Sequence, residues 1–154
     1  MFQLYSKGCE YTLRALVEAE KYAKGKSFSA KAICRKARIP ESFTRKIFQS
    51  LVRAGVLKAA VGRGGGYWLS RDPAQMDILS VVQAVDGHDT FEHCIMGKGL
   101  CGKDRICPLH DLWFEGKSQL LALLRSKTLR DISPQASSNV GNGSQIKKKE
   151  MKPW

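Results

Sequence analysis

The chain has 154 residues, 43% of them apolar and 26% charged, the make-up of a single globular domain with a small appendage and not of a disordered chain. No apolar run approaches the roughly 20 residues that a spanning helix needs. The start, MFQLYSKGCEYTLRAL, lacks the charged head, apolar centre and small-residue cleavage site of a secretory signal, so a cytoplasmic protein with no membrane partner is expected.

The net charge of +12 is unevenly spread. Residues 1–71 carry fifteen Lys/Arg against four Asp/Glu, residues 72–133 carry seven against nine, and the last 21 carry four against one. A basic first half beside a near-neutral second half points the first half toward a polyanion.

In chain order, residues 9–24 read as an amphipathic helix with Leu13, Leu16, Val17 and Ala23 near one face. Gly25 to Ser27 breaks it. Ser29 is placed to cap a short second helix, Ala30 to Ala37, which carries Ile33 and Cys34 toward a core. Ile39-Pro40 interrupts, and a third helix runs from about Glu41 to Ala54, stopped by Gly55. Val56 to Val61 has strand character, and Tyr67-Trp68-Leu69 reads as the returning strand across a GRGGG loop. Asp72-Pro73 closes that unit. A fourth helix, Asp77 to Asp86, ends at Gly87. Residues 88–107 show no periodicity and are expected to be an irregular loop. From Pro108 a long helix resumes, in which Leu109, Trp113, Gly116, Leu120 and Leu123 form a seam suited to packing on another helix, with close backbone approach at Gly116. From Ser133 the Ser/Asn/Gly/Lys-rich composition is that of a disordered tail.

The predicted fold is mainly α with a small β-hairpin: a winged helix-turn-helix over 1–73, a cysteine-bearing loop and long C-terminal helix over 74–131, and a basic tail over 132–154. In the third helix, Phe43, Ile47, Phe48, Leu51 and Val52 fall in one arc, and Ser42, Arg45, Lys46, Gln49 and Arg53 in the other. Arg and Gln pair with guanine and adenine edges in a major groove, and Lys neutralises phosphates. Arg63, among the glycines of the hairpin tip, is set to enter a narrow minor groove of double-stranded DNA. A nucleotide-binding loop would need a helix after those glycines, whereas Tyr67-Trp68-Leu69 is a strand.

Five cysteines, an odd number, do not make a secreted disulfide framework. Cys9 and Cys34 read as core thiols. Cys94-x6-Cys101-x5-Cys107 places three thiolates on a glycine-bearing segment. Soft sulfur donors match iron–sulfur clusters or zinc. Structural zinc usually takes closer Cys pairs, so the wide spacing favours a polynuclear centre, with zinc and free or redox-switching thiols as alternatives. Three cysteines leave one coordination position open, for which His93 and His110 are the nearby imidazoles. No nucleophile triad, carboxylate pair or nucleotide loop emerges, so no enzyme activity is expected.

Four segments, SKGCEYTLRAL (6–16), IPESFTRKIFQSLVRAGVL (39–57), GRGGGYWLSRDP (62–73) and CIMGKGLCGKDRICPLHDLW (94–113), together resemble the bacterial iron–sulfur and nitric-oxide-sensing winged-helix regulators, the IscR- and NsrR-like repressors. The resemblance implies a homodimer joined by the helix over 108–127, with each cysteine loop near the partner's first helix. It implies a cluster, [2Fe–2S] or [4Fe–4S], on Cys94, Cys101 and Cys107. The fourth ligand maps onto His110 or, preferably, onto Glu10 of the partner subunit. Arg14 stands where one subgroup has a second ligand, which argues against that arrangement here, and Thr44 replaces a larger apolar residue. The implied function is a transcriptional regulator, a repressor, whose affinity for a palindromic operator follows redox, nitric-oxide or iron status. Two alternatives remain: a DNA-binding protein with structural zinc or switching thiols, and a small redox protein with a basic docking face.

Overall fold

The computed structural model of the chain describes residues 4–23, 26–96, 99–101 and 107–133. The element order is α1 (Lys7–Ala23), α2 (Ala30–Lys36), α3 (Glu41–Arg53), β1 (Leu57–Ala60), β2 (Gly66–Leu69), α4 (Ile78–Asp86) and α5 (His110–Ser126). This is the mainly α winged helix-turn-helix with a long last helix that the sequence pattern predicts. The expected tail lies outside the described residues from position 134 onward.

Helix α1 is preceded by Ser6, whose hydroxyl accepts from the Cys9 amide at 3.1 Å and donates to Asp86 at the far end of α4. Its buried stripe is Cys9, Thr12, Ala15, Leu16 and Ala19. This corrects the expected face: Leu13 and Val17 are only half-buried, and the Ala23 side chain lies outside the described ones. The small side chains carry the contact because they let neighbouring helices approach closely, which a reading centred on leucine and valine overlooks.

Ser29 takes the N-cap position of α2 with extended backbone (φ −84°, ψ 130°), but its hydroxyl makes no capping bond; its carbonyl accepts the Ile33 amide at 3.0 Å. The turn into α3 passes through Arg38, a non-glycine residue at φ 54°. That conformation is disfavoured for a residue with a Cβ. The Arg14 guanidinium of α1 donates to the carbonyls of Ala37 and of Arg38, the latter at 3.3 Å. Arg14 therefore caps the end of α2 and fixes the angle at which α3 departs.

Helix α3 ends as Gly55 predicts. Gly55 sits at φ 69°, its amide donates to Val52 at 3.0 Å, and the Val56 amide reaches back to Leu51 at 2.9 Å, the pairing of a Schellman stop. Strands β1 and β2 pair antiparallel in the register Leu57–Leu69, Lys58–Trp68, Ala59–Tyr67 and Ala60–Gly66. A Cβ on Gly65 would lie 2.4 Å from the Ala60 carbonyl oxygen, so the loop can close only with glycine there. Phe28 adds a bridge to Tyr67, with amide-to-carbonyl distances of 2.8 and 3.0 Å in the two directions. The Phe28, Phe48 and Tyr67 rings stack edge to face behind it, at centroid separations of 6.3 and 4.9 Å. The wing is thereby pinned to the body of the domain.

The core has two parts. Leu16, Ile33, Ile47, Phe48, Leu51, Val56, Leu57, Met76, Val81 and Leu129 pack the three-helix head. Cys9, Ile78, Leu79, Val82 and Phe91 form the second part, against Leu120, Leu121 and Leu124 of α5. Helix α4 contributes to both, which makes it the joint between the head and the last helix. Each fully buried Leu or Phe contributes about 1.5–3 kcal/mol of hydrophobic free energy.

One expectation about the second half changes, and another is met only in part within one copy of the chain. The predicted seam of α5 divides between two faces: Leu120 turns inward with Leu121 and Leu124, whereas Leu109, Leu112, Phe114 and Leu123 are exposed. Gly116 is exposed too, and a Cβ there would meet nothing within 4 Å. The loop expected to be irregular folds partly into a hairpin. The Cys101 amide donates to the Glu92 carbonyl and the Cys94 amide to the Gly99 carbonyl, each at 2.7 Å, around an antiparallel bridge between His93 and Leu100. So short a pairing, one bridge with a bond on either side, leaves no periodicity signal. Residues 97, 98 and 102–106 lie outside the described ones.

Candidate nucleic-acid interface and cysteine loop

Helix α3 divides as its sequence predicts. Ile47, Phe48 and Leu51 are buried, and Phe43 and Val52 are half-buried. Ser42, Arg45, Lys46, Gln49 and Arg53 are all exposed on the other side. Phe43 packs edge-on against Tyr11 at 5.1 Å, seating α3 on α1. Arg63 is exposed at the wing tip between Gly62 (φ 106°) and Gly64 (φ 84°), beside a fully exposed Val61. Helix α3 and the wing tip thus offer cations and amide or hydroxyl donors to a polyanion, on supports fixed by core packing.

Thr44 has a local explanation. Burial pushes the Cys34 thiol up, and a hydrogen bond with Thr44 partly offsets this. The small polar residue on α3 thus answers a thiol on α2, where a larger apolar side chain would leave the thiol without that partner.

The cysteine loop brings together some of its expected donors. Cys101 Sγ lies 3.3 Å from His110 Nδ1, the first residue of α5. The same ring stacks on Phe114 at 6.3 Å with an interplanar angle of 17°. The His110 amide donates to the Cys107 carbonyl at 3.0 Å, so Cys107 is joined to the same helix start. Cys94, Cys101 and Cys107 are all half-buried and reachable from outside the core. Among the described residues no group of three His, Cys, Asp or Glu converges closely enough to hold a single metal ion. His93 takes part through its backbone, and its side chain is exposed.

Glu10 is engaged within its own helix, bonded to Lys7 at 2.5 Å and paired with Arg14 at 3.6 Å. The Lys7 ammonium, helped by Arg14, holds its carboxyl below the usual carboxylate range. Cys9 beside it is fully buried. Burial, with the Asp86 charge adding to it, pushes that thiol up to about 12 from an ordinary 9.0. It stays protonated near neutrality and is core, as expected.

The Cys9 thiol also makes stability depend on pH. A thiol that ionises more readily unfolded than folded supports the fold fully below the unfolded pKa and loses that support as pH climbs toward the folded one. Between pH 9.0 and about 12 the group is expected to steepen the fall in stability by up to about 1.4 kcal/mol per pH unit. Denaturant unfolding of the wild type and Cys9→Ala across that range checks this. The wild-type curve should fall more steeply than that of the variant.

Sequence reasoning did not find Lys117. It is a buried lysine on the inner face of α5, paired with Glu92 at 3.1 Å. Its signal was the spacing Trp113, Lys117, Leu121, which places a charge four residues from inward-facing positions on both sides.

A helix-turn-helix head with a pinned hairpin wing is the architecture of a DNA-binding transcriptional regulator, and the exposed cationic face of α3 fits that class. The profile of the Rrf2 family, described as iron-dependent transcriptional regulators, matches residues 5–135, and the chain belongs to this family. Among its relatives is IscR of Vibrio vulnificus, an HTH-type transcriptional regulator, 29% identical over 130 residues that cover 84% of this chain and 76% of the relative. The Neisseria meningitidis protein NMA1593, named as a regulator of the same type, is 28% identical over 144 residues, covering 94% and 95%. Solved structures share the fold. CymR, the global cysteine regulator of B. subtilis, superposes with a TM-score of 0.71 at 22% identity, covering 86% of this chain and 97% of that one. IscR of T. potens superposes at 0.69 with 21% identity, covering 90% and 92%. The relatives are transcriptional regulators, in agreement with the expectation that this chain is not an enzyme. No helix among the described residues is long and apolar enough to cross a membrane.

Proposed function

We propose that this transcriptional regulator is a cytoplasmic homodimeric repressor whose affinity for a palindromic operator follows the state of an iron–sulfur cluster held by Cys94, Cys101, Cys107 and His110. The observation that carries the ligand set is the 3.3 Å approach of His110 Nδ1 to Cys101 Sγ. It favours His110 over Glu10, whose carboxylate is taken up by Lys7 and Arg14. The donor chemistry fits: three accessible thiols and an imidazole are a soft, mixed set of the kind that iron–sulfur centres accept. When bound, such a centre supplies sensitivity to redox state, nitric oxide and iron supply.

The chain's own residues would do the rest. The hairpin holds Cys94 and Cys101 on one face, since residues diagonally opposed across an antiparallel bridge share a side. His110 opens α5, so any change at the imidazole is delivered to the start of that helix. The exposed Leu109, Leu112 and Leu123, with open space at Gly116, give α5 a face suited to a second copy. In a two-fold dimer the two α3 helices would enter successive major grooves, with Ser42, Arg45, Lys46, Gln49 and Arg53 toward the bases and backbone and Arg63 in the flanking minor groove. The divisions at 1–73 and 74–131 then correspond to reading and sensing parts, joined by α4.

A second reading rests on the same Cys101–His110 pair: a thiol switch without inorganic sulfide. Iron and acid-labile sulfide counts with an absorption spectrum, taken on protein purified without oxygen, separate the two. A coloured protein with matched iron and sulfide is the expected result. Pale, sulfide-free protein after reconstitution would end the cluster reading.

A further inference from the structure

We propose that Lys117 and Trp113 of α5 are positioning residues that hold the Cys94–Cys101 hairpin in place before any inorganic group is bound. The inference rests on the cluster reading above and deepens it.

Lys117 is only 6% exposed, and a lysine is seldom so buried without a partner. Its ammonium meets the Glu92 carboxylate at 3.1 Å and lies 5.5 Å from the Phe114 ring centre. Glu92 serves two groups at once. Its side chain takes Lys117, and its carbonyl accepts the Cys101 amide at 2.7 Å. One turn earlier on α5, the Trp113 indole donates to the His93 carbonyl at 3.1 Å. Adjacent hairpin residues, 92 and 93, are therefore fastened to α5 residues four apart, which stand above one another on a helix face. His93 is itself bridged to Leu100. The strand carrying Cys94 and the strand carrying Cys101 are both tied to α5 through these two grips.

This arrangement has a purpose that simple packing lacks. A hairpin of this size is marginal by itself in water. Apolar contact alone would hold it without fixing its register, and a one-residue slip would turn Cys94 to the opposite face. A charge pair and an indole bond set the register directionally. They also tie the hairpin to the helix that bears the exposed apolar face, so the two move as one body.

The test is residue-resolved amide exchange on the metal-free, reduced full chain. The Cys94 and Cys101 amides are compared in the wild type, Lys117→Met, Trp113→Phe and the double variant. Exchange at those two amides is expected to rise roughly tenfold in each single variant and further in the double, with the α1 and α3 amides unchanged. Unchanged exchange at the hairpin would overturn the proposal. So would a uniform rise across every helix, which marks a general loss of stability. If Lys117→Met does not fold, Trp113→Phe, which keeps an aromatic ring while removing the indole N–H and its five-membered ring, decides alone. A chain that never takes up iron removes the cluster reading and leaves this measurement standing, because it is made without metal.

Discussion

Replacing Cys101 by alanine is expected to leave a folded winged helix that retains less than about a tenth of the wild-type iron and sulfide, the effect of removing a principal ligand. Cys101 is half-buried and outside both parts of the core, so the stability cost should stay within about 1 kcal/mol. The larger effect is on switching. If the state of the centre alters operator affinity, the coupling is of order 1–3 kcal/mol, a change of roughly 5–150-fold between loaded and emptied protein. In Cys101→Ala that ratio should fall to one. His110→Ala, measured beside it, should retain three thiolates and bind a more labile centre. Glu10→Ala should load normally if His110 is the fourth ligand, and poorly if the partner's carboxylate is. Titration of a labelled operator, before and after anaerobic reconstitution, reads all three. A coloured Cys101→Ala protein with an intact ratio would remove this thiol from the site.

The reading half was legible in the sequence because its signals are local and redundant. Helices α3 and α4 are bounded by a proline, a glycine or a capping side chain, and Gly55, Asp77 and Gly87 act where their types predict. The two arcs of α3 follow from a 3.6-residue period that a helix of that length displays in full. What could not be read were contacts between residues far apart in the chain. Arg14 looked like a missing ligand and turned out to cap α2, 23 residues on. Phe28, a lone aromatic in a short connection, pins the wing. The seam of α5 is engaged only in part within one copy of the chain. Leu109 and Leu123 share the inward residues' spacing, but burial of α5 within its own chain is limited to the arc of Lys117, Leu120, Leu121 and Leu124. Spacing records that a helix has apolar stripes, and it does not say which stripe meets which partner. The cysteine hairpin was hidden because its register is set by α5, through Glu92 and His93, and not by any pattern of its own.

The exposed side chains of α3 should divide by function when tested singly. Arg45→Ala and Gln49→Ala remove groups able to form paired bonds to base edges, so each is expected to weaken operator binding by about 1–3 kcal/mol and relax preference at one base position. Lys46→Ala removes a compact cation with no such geometry. It should weaken binding to operator and to unrelated DNA alike, and lower the slope of log affinity against log salt by about 1. Arg63→Ala should act at the flanks, with its effect greatest on operators whose flanking A·T runs narrow the minor groove. None of these should alter stability by more than about 0.5 kcal/mol, because all four side chains are exposed and absent from the core. Salt-dependent binding isotherms on operator and scrambled duplexes check the division. An Arg45→Ala protein that loses affinity equally for both would show that α3 holds the backbone without reading bases, and base preference would then have to come from the wing or from the shape of the duplex.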